Sequence, residues 1–106
     1  MESISDKTFE EKVSTYKGPH MLEFFATWCP HCQRMAPIIS ELAKEFEGKV
    51  KIFLIDVDKA PEYTDKYQVT GTPTMFFYQD GKKEPKSTLV GEQSIEDLRQ
   101  ELNALI

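Results

Sequence analysis

The chain has 106 residues, 40% of them apolar and 11% aromatic, and a formal net charge of −5. That length and apolar content predict one domain over residues 1–106, with a core that needs no disulfide framework. Acidic and basic residues are interspersed, so there is no basic stripe to neutralise phosphates, and nucleic acid is excluded as a partner. No segment approaches the roughly 20 apolar residues of a membrane span, and Met1–Asp6 lacks the basic and apolar regions of a leader; the expectation is a cytoplasmic protein with no membrane contact, although a removed leader would leave the same sequence.

Thr8 followed by Glu11 has the form of a capping box, and Phe9, Val13 and Tyr16 recur at helical spacing, so a first helix is predicted over Thr8 to Tyr16, ended by Gly18-Pro19. Met21 to Ala26 reads as a strand. Only Glu23 interrupts its apolar run, which predicts a central strand covered on both faces. A helix follows from Pro30 to Glu47, with Met35, Ile38, Ile39, Leu42, Ala43 and Phe46 on one stripe and Gly48 closing it. Pro37 inside that helix predicts a kink.

Val50 to Val57, rich in β-branched and aromatic residues, is predicted as a strand parallel to the first through a right-handed crossover. Pro61 to Tyr67 is compatible with a short helix. Thr74–Tyr78 and Ser87–Val90 read as antiparallel strands around a turn signal at Gln79-Asp80-Gly81-Lys82. Ser94 starts the last helix, whose stripe is Ile95, Leu98, Leu102 and Leu105. His20 reads as a loop residue and receives no role.

The chemistry concentrates in Trp28-Cys29-Pro30-His31-Cys32, which holds the only two cysteines one helical turn apart where a strand passes into a helix. Pro30 suits the first turn because the amide it lacks has no intrahelical partner there. Cys29 then sits at the helix N-terminus, where free amides and the positive end of the dipole favour thiolate over thiol. A zinc site would need two further ligands, and the histidines are only His20 and His31. A structural bond across so short a loop would constrain the unfolded chain little. Redox chemistry is the stronger reading.

These residues, followed by Met35-Ala36-Pro37, Asp56-Val57-Asp58, Gly71-Thr72-Pro73-Thr74, Asp80-Gly81 and Val90-Gly91, resemble the thioredoxin family in order and spacing from about residue 6 to the C-terminus. The resemblance implies an α/β thioredoxin fold, a central mixed β-sheet flanked by helices on both faces, with an N-terminal strand that is short or missing here. It implies that Cys29 is the nucleophile and Cys32 the resolving thiol, exchanging through a mixed disulfide with a protein disulfide or dithiol substrate. It implies no metal and no organic cofactor. A recycling partner such as a thioredoxin reductase, and a monomer, are the further expectations. Pro73 resembles the family's cis-proline facing the cysteine pair, with the Thr72 backbone free to pair with an extended substrate segment. Trp28, Pro30 and Gly91 are expected around the same groove; Trp28 is alternatively a core aromatic.

Three departures from the family pattern bear on the chemistry. Pro30-His31 stands where reducing thioredoxins carry Gly-Pro, and a protonated His31 would add positive charge near Cys29; the alternative is an exposed, screened histidine. Were the Cys29 pKa to fall from about 8.5 to about 6, the thiolate fraction at neutral pH would rise about thirtyfold while intrinsic nucleophilicity fell about tenfold. The larger effect is on the reduced form, stabilised by about 3.4 kcal/mol, which makes the disulfide more oxidising. Glu23 stands six residues before Cys29, where many thioredoxins keep a buried aspartate; it either takes the Cys32 proton or reaches a solvent-filled edge. Leu54 replaces the lysine that often faces that acid, so Glu23 should be harder to ionise.

The leading expectation is a protein thiol–disulfide oxidoreductase, more oxidising than ordinary thioredoxin, with its direction, reductase or isomerase, open. A non-enzymatic binding module using a thioredoxin-like groove is the alternative, and a thiol peroxidase is disfavoured because no separate peroxidatic motif is present.

Overall fold

A computed structural model describes residues 1–106. Its five strands, β1 (Glu2–Ile4), β2 (His20–Phe25), β3 (Lys51–Asp56), β4 (Thr74–Tyr78) and β5 (Ser87–Val90), form one mixed sheet in the order β1-β3-β2-β4-β5. β1, β3 and β2 run parallel, and β4 and β5 are antiparallel additions. The strand before the cysteines is therefore central. β1 is a short edge strand. Three helices, α1 (Pro30–Glu45), α2 (Pro61–Lys66) and α3 (Ile95–Asn103), complete the fold.

Side-chain alternation along the strands assigns each face its own core. Met21, Ile52, Met75 and Phe77 pack with Met35, Ile39, Leu42 and Phe46 of the α1 region and with Leu98, Leu102 and Leu105 of the α3 region. Leu22, Phe24, Phe53 and Ile55 face the opposite way, against Phe9, Val13 and Tyr63. By the same alternation Glu23 lies on the α1 side of β2, beside Leu54 and Met75 of the adjacent strands.

The first predicted helix is corrected. In place of a helix over Thr8 to Tyr16 there is a single wide π turn over Glu10–Ser14. Thr8 does not cap it. Its hydroxyl accepts from the Ser5 amide at 3.0 Å, satisfying the turn that precedes Phe9. Packing explains the helix's brevity: Phe9 stacks on Tyr63 with ring centroids 3.9 Å apart, so tertiary contact outweighs local periodicity. His20 is also corrected, from loop to the first residue of β2, where it is buried and stacked on Tyr78 at 4.6 Å.

α1 runs through Pro37 without stopping and ends ahead of Gly48, whose φ of +80° a residue with a Cβ adopts only with strain. Ser94 caps α3 by accepting the Asp97 amide at 3.1 Å. Arg99 then joins α3 to α1 through Glu45 at 2.8 Å. The Thr72–Pro73 peptide is cis. No helix is long and apolar enough to cross a membrane.

Candidate active site

The strand-to-helix junction places Cys29 as the N-cap of α1, with extended backbone at φ −83° and ψ 119° and with Pro30 in the first turn. Its carbonyl already accepts the Gln33 amide at 3.0 Å, so the helix begins at the cysteine itself. Both cysteines are free thiols and both are buried. Together with Ala26 they form a small apolar cluster against Phe25 and Val57.

The two thiols are driven in opposite directions. Cys29 is lowered to about 7, chiefly by hydrogen bonding from the Thr72 side chain, then by the backbone amides of Cys32 and His31. Those amides are the free donors that a helix N-terminus presents. The Cys29 Sγ also lies 3.5 Å from the Thr72 carbonyl oxygen, to which the protonated thiol donates. Cys32, one turn deeper, is pushed up by burial and by its neighbour's sulfur. At neutral pH the pair is therefore one partly ionised sulfur beside one protonated sulfur.

Pro73 is buried beside this junction, and its carbonyl accepts the Gly91 amide at 2.8 Å, tying the segment after β5 to the start of β4. The Thr74 hydroxyl donates to Gly71 at 2.6 Å and closes the loop on its other side. Trp28 is not a core aromatic. It is 66% exposed, and its indole Nε1 donates to Asp58 Oδ2 at 2.9 Å. Sequence reasoning did not identify Asp58 as that partner, although the Asp56-Val57-Asp58 motif contained it.

Behind Cys32 lies a cavity of about 120 Å³ lined by Glu23, Phe25, Cys32, Ala36 and Leu54 among others. Glu23 is buried, with apolar neighbours on both adjacent strands, and burial alone raises its carboxyl to about 7. The imidazole of His31 is exposed and turns to Glu92, with Nδ1 2.9 Å from Oε1. Arg34 reaches the same carboxylate at 2.9–3.1 Å. Neither Arg34 nor Glu92 was identified from sequence; no local pattern links residues 58 positions apart. No three histidine, cysteine or carboxylate side chains converge into a metal-ligating cluster.

This is the arrangement of one known group of proteins, and the Thioredoxin family model matches residues 1–104. The chain belongs to the thioredoxin family. The thioredoxins of Staphylococcus aureus strains Mu50 and MW2 are each 38% identical to it over 100 residues, covering 94% of this chain and 92% of theirs. With the thioredoxin fold and a cysteine pair at the strand-to-helix junction, the protein is a thiol–disulfide oxidoreductase.

Proposed function

We propose that the protein exchanges disulfides with protein substrates through Cys29 and Cys32, and that its couple is more oxidising than that of a thioredoxin with Gly-Pro between the cysteines. The observation that carries the exchange reading is the opposite displacement of the two thiols, Cys29 to about 7, the range of an ordinary thioredoxin thiol, and Cys32 upward; the higher potential rests instead on Pro30-His31 standing between the cysteines. A lowered Cys29 favours the reduced protein and makes the sulfur a better leaving group, both of which raise oxidising power.

The Cys29 thiolate attacks one sulfur of a substrate disulfide; that S–S bond breaks, and the second substrate sulfur leaves and takes a proton. Cys32 gives its proton to Glu23 through the shared cavity and attacks Cys29 Sγ, breaking the mixed disulfide and releasing the other substrate thiol. The protein ends with a Cys29–Cys32 disulfide and the substrate with two thiols. Run backward, the same steps oxidise a substrate dithiol. Trp28, Pro30, Thr72, Pro73 and Gly91 border the groove in which the substrate segment lies, and His31, when protonated, adds charge near the nucleophile. The chain acts as one domain, a monomer in the cytoplasm, and a thioredoxin reductase is the class of enzyme that recycles it.

Equilibration with glutathione buffers tests the potential. A couple no more oxidising than a Gly-Pro thioredoxin removes the second half of the proposal. Insulin reduction with Cys29→Ser as control tests the first half: activity must vanish in the variant. A wild type without activity that still binds partners through the groove would favour a non-enzymatic binding module.

A further inference from the structure

The first two turns of α1 carry two basic side chains, His31 and Arg34, and both are bonded to one carboxylate, Glu92, in the segment after β5. His31 Nδ1 is 2.9 Å from Glu92 Oε1 and 3.0 Å from Arg34 Nη2. A ring nitrogen cannot serve an acceptor and a donor at once. Arg34 and His31 hold Glu92 down to about 2, so it is a carboxylate throughout the working pH range. Nδ1 therefore carries its proton toward Glu92. Arg34 stands in the second turn of the helix that Cys29 begins, and the Cys29 charge is the last of the causes that raise its pKa.

We propose that Glu92 is a positioning residue that moderates the oxidising power of the Cys29–Cys32 couple, binding His31 and Arg34 and offsetting their positive charge at the Cys29 sulfur. The inference rests on the exchange reaction proposed above and adds a sign to it. Basic residues beside Cys29 stabilise the thiolate and push the couple toward oxidation; a carboxylate bonded to both draws it back. The other acids at this end of the sheet have separate partners or places: Asp56 accepts the Asp58 amide, Asp58 is bonded to Trp28, and Glu23 is buried behind Cys32. The side chains of His31, Arg34 and Glu92 are 58%, 57% and 36% exposed, so water screens the cluster. Its influence is correspondingly modest, about two- to fivefold in an equilibrium constant.

The test measures the Cys29 thiolate titration and the glutathione equilibrium in wild type, Glu92→Gln, Glu92→Asp and Arg34→Gln. Glu92→Gln is expected to lower the Cys29 midpoint and raise the constant for oxidation of glutathione by about two- to fivefold, with the difference shrinking in 1 M salt. Glu92→Asp keeps the charge and should return most of the way to wild type. Arg34→Gln leaves the carboxylate without its cation and should move the midpoint upward, which also tests the proposal if Glu92→Gln does not fold. An unchanged or raised midpoint in Glu92→Gln, a salt-independent effect, or an unchanged or lowered midpoint in Arg34→Gln overturns it. A wild type as reducing as a Gly-Pro thioredoxin, in which these shifts still occur, would remove the oxidising reading and leave the role of Glu92 standing.

Discussion

Glu23 and Cys32 border one cavity, and the strand residues flanking the carboxyl are Leu54 and Met75. No cation faces the acid from those strands. Burial raises it to about 7, so near neutrality it both takes and returns a proton, as a base for Cys32 must.

On the mechanism proposed above, Glu23→Gln removes the base for Cys32 while keeping the shape. The second step, attack of Cys32 on the mixed disulfide, should slow by about a hundredfold at pH 7, at the low end of general-base effects because thiols ionise readily. Quenched-flow trapping of the mixed disulfide measures it; a lifetime equal to that of wild type excludes Glu23 from the proton transfer.

The same carboxyl makes stability depend on pH. Its folded pKa of about 7 lies above the unfolded value, so the folded state holds the proton more tightly. Stability is highest below the unfolded value of about 4.3 and declines as pH rises, the loss being complete above about 7 and on the order of 3 kcal/mol. Burial lowers the His20 pKa, so that residue acts with the opposite sign, its contribution lost as pH falls below about 6.5. Urea denaturation of the oxidised protein at pH 5 and pH 8.5 should show the alkaline loss in wild type and not in Glu23→Gln. Parallel curves would refute it.

Cys29 should alkylate with a midpoint near pH 7, following its lowered pKa. At that pH about half is thiolate, against roughly 3% for an ordinary thiol, and after the fall in intrinsic nucleophilicity the net gain is about threefold. Thr72→Val deletes the hydroxyl that contributes most, and should raise the midpoint by about one unit, the scale of a hydrogen bond to a charged group. Iodoacetamide kinetics in a Cys32→Ser background isolate the sulfur; an unmoved midpoint assigns the effect to the helix amides instead.

Gly91 has φ +93° and open space where a Cβ would stand, so Gly91→Ala carries a backbone penalty without a clash. The expected loss is about 1 kcal/mol, or about 4–8 °C in Tm for a domain of this size. Calorimetry showing no change would mean that the Gly91–Pro73 segment relaxes freely despite its 2.8 Å hydrogen bond.

Asp6 caps α2 from a distance, its two oxygens accepting the Glu62 and Tyr63 amides at 3.1 Å each. Ala60, the local N-cap, has no side chain able to do this. Asp6→Ala should cost about 1 kcal/mol, and Asp6→Asn, which keeps one acceptor but turns an NH2 toward the other amide, should recover only part of that loss. An unchanged stability in Asp6→Ala, measured by urea denaturation, would show that these two hydrogen bonds do not hold the start of α2.

The amino-acid sequence by itself determined the order of strands and helices from Met21 onward, the central position of the Met21–Ala26 run, the Ser94 cap and the placement of Cys29 at a helix start. Each depends on alternation, periodicity or a capping pair within a few residues, and such signals survive in the linear text. It went astray at Thr8–Tyr16 and at His20, where the stacking partners, Tyr63 and Tyr78, lie more than 50 residues away. The tertiary structure alone decided that Asp6 caps α2, that Asp58 holds Trp28, and that Glu92 gathers His31 and Arg34. Those contacts span 30 to 61 residues, and those of Trp28, His31 and Arg34 exist only once sheet order has brought the ends of β2, β3 and β5 beside the start of α1.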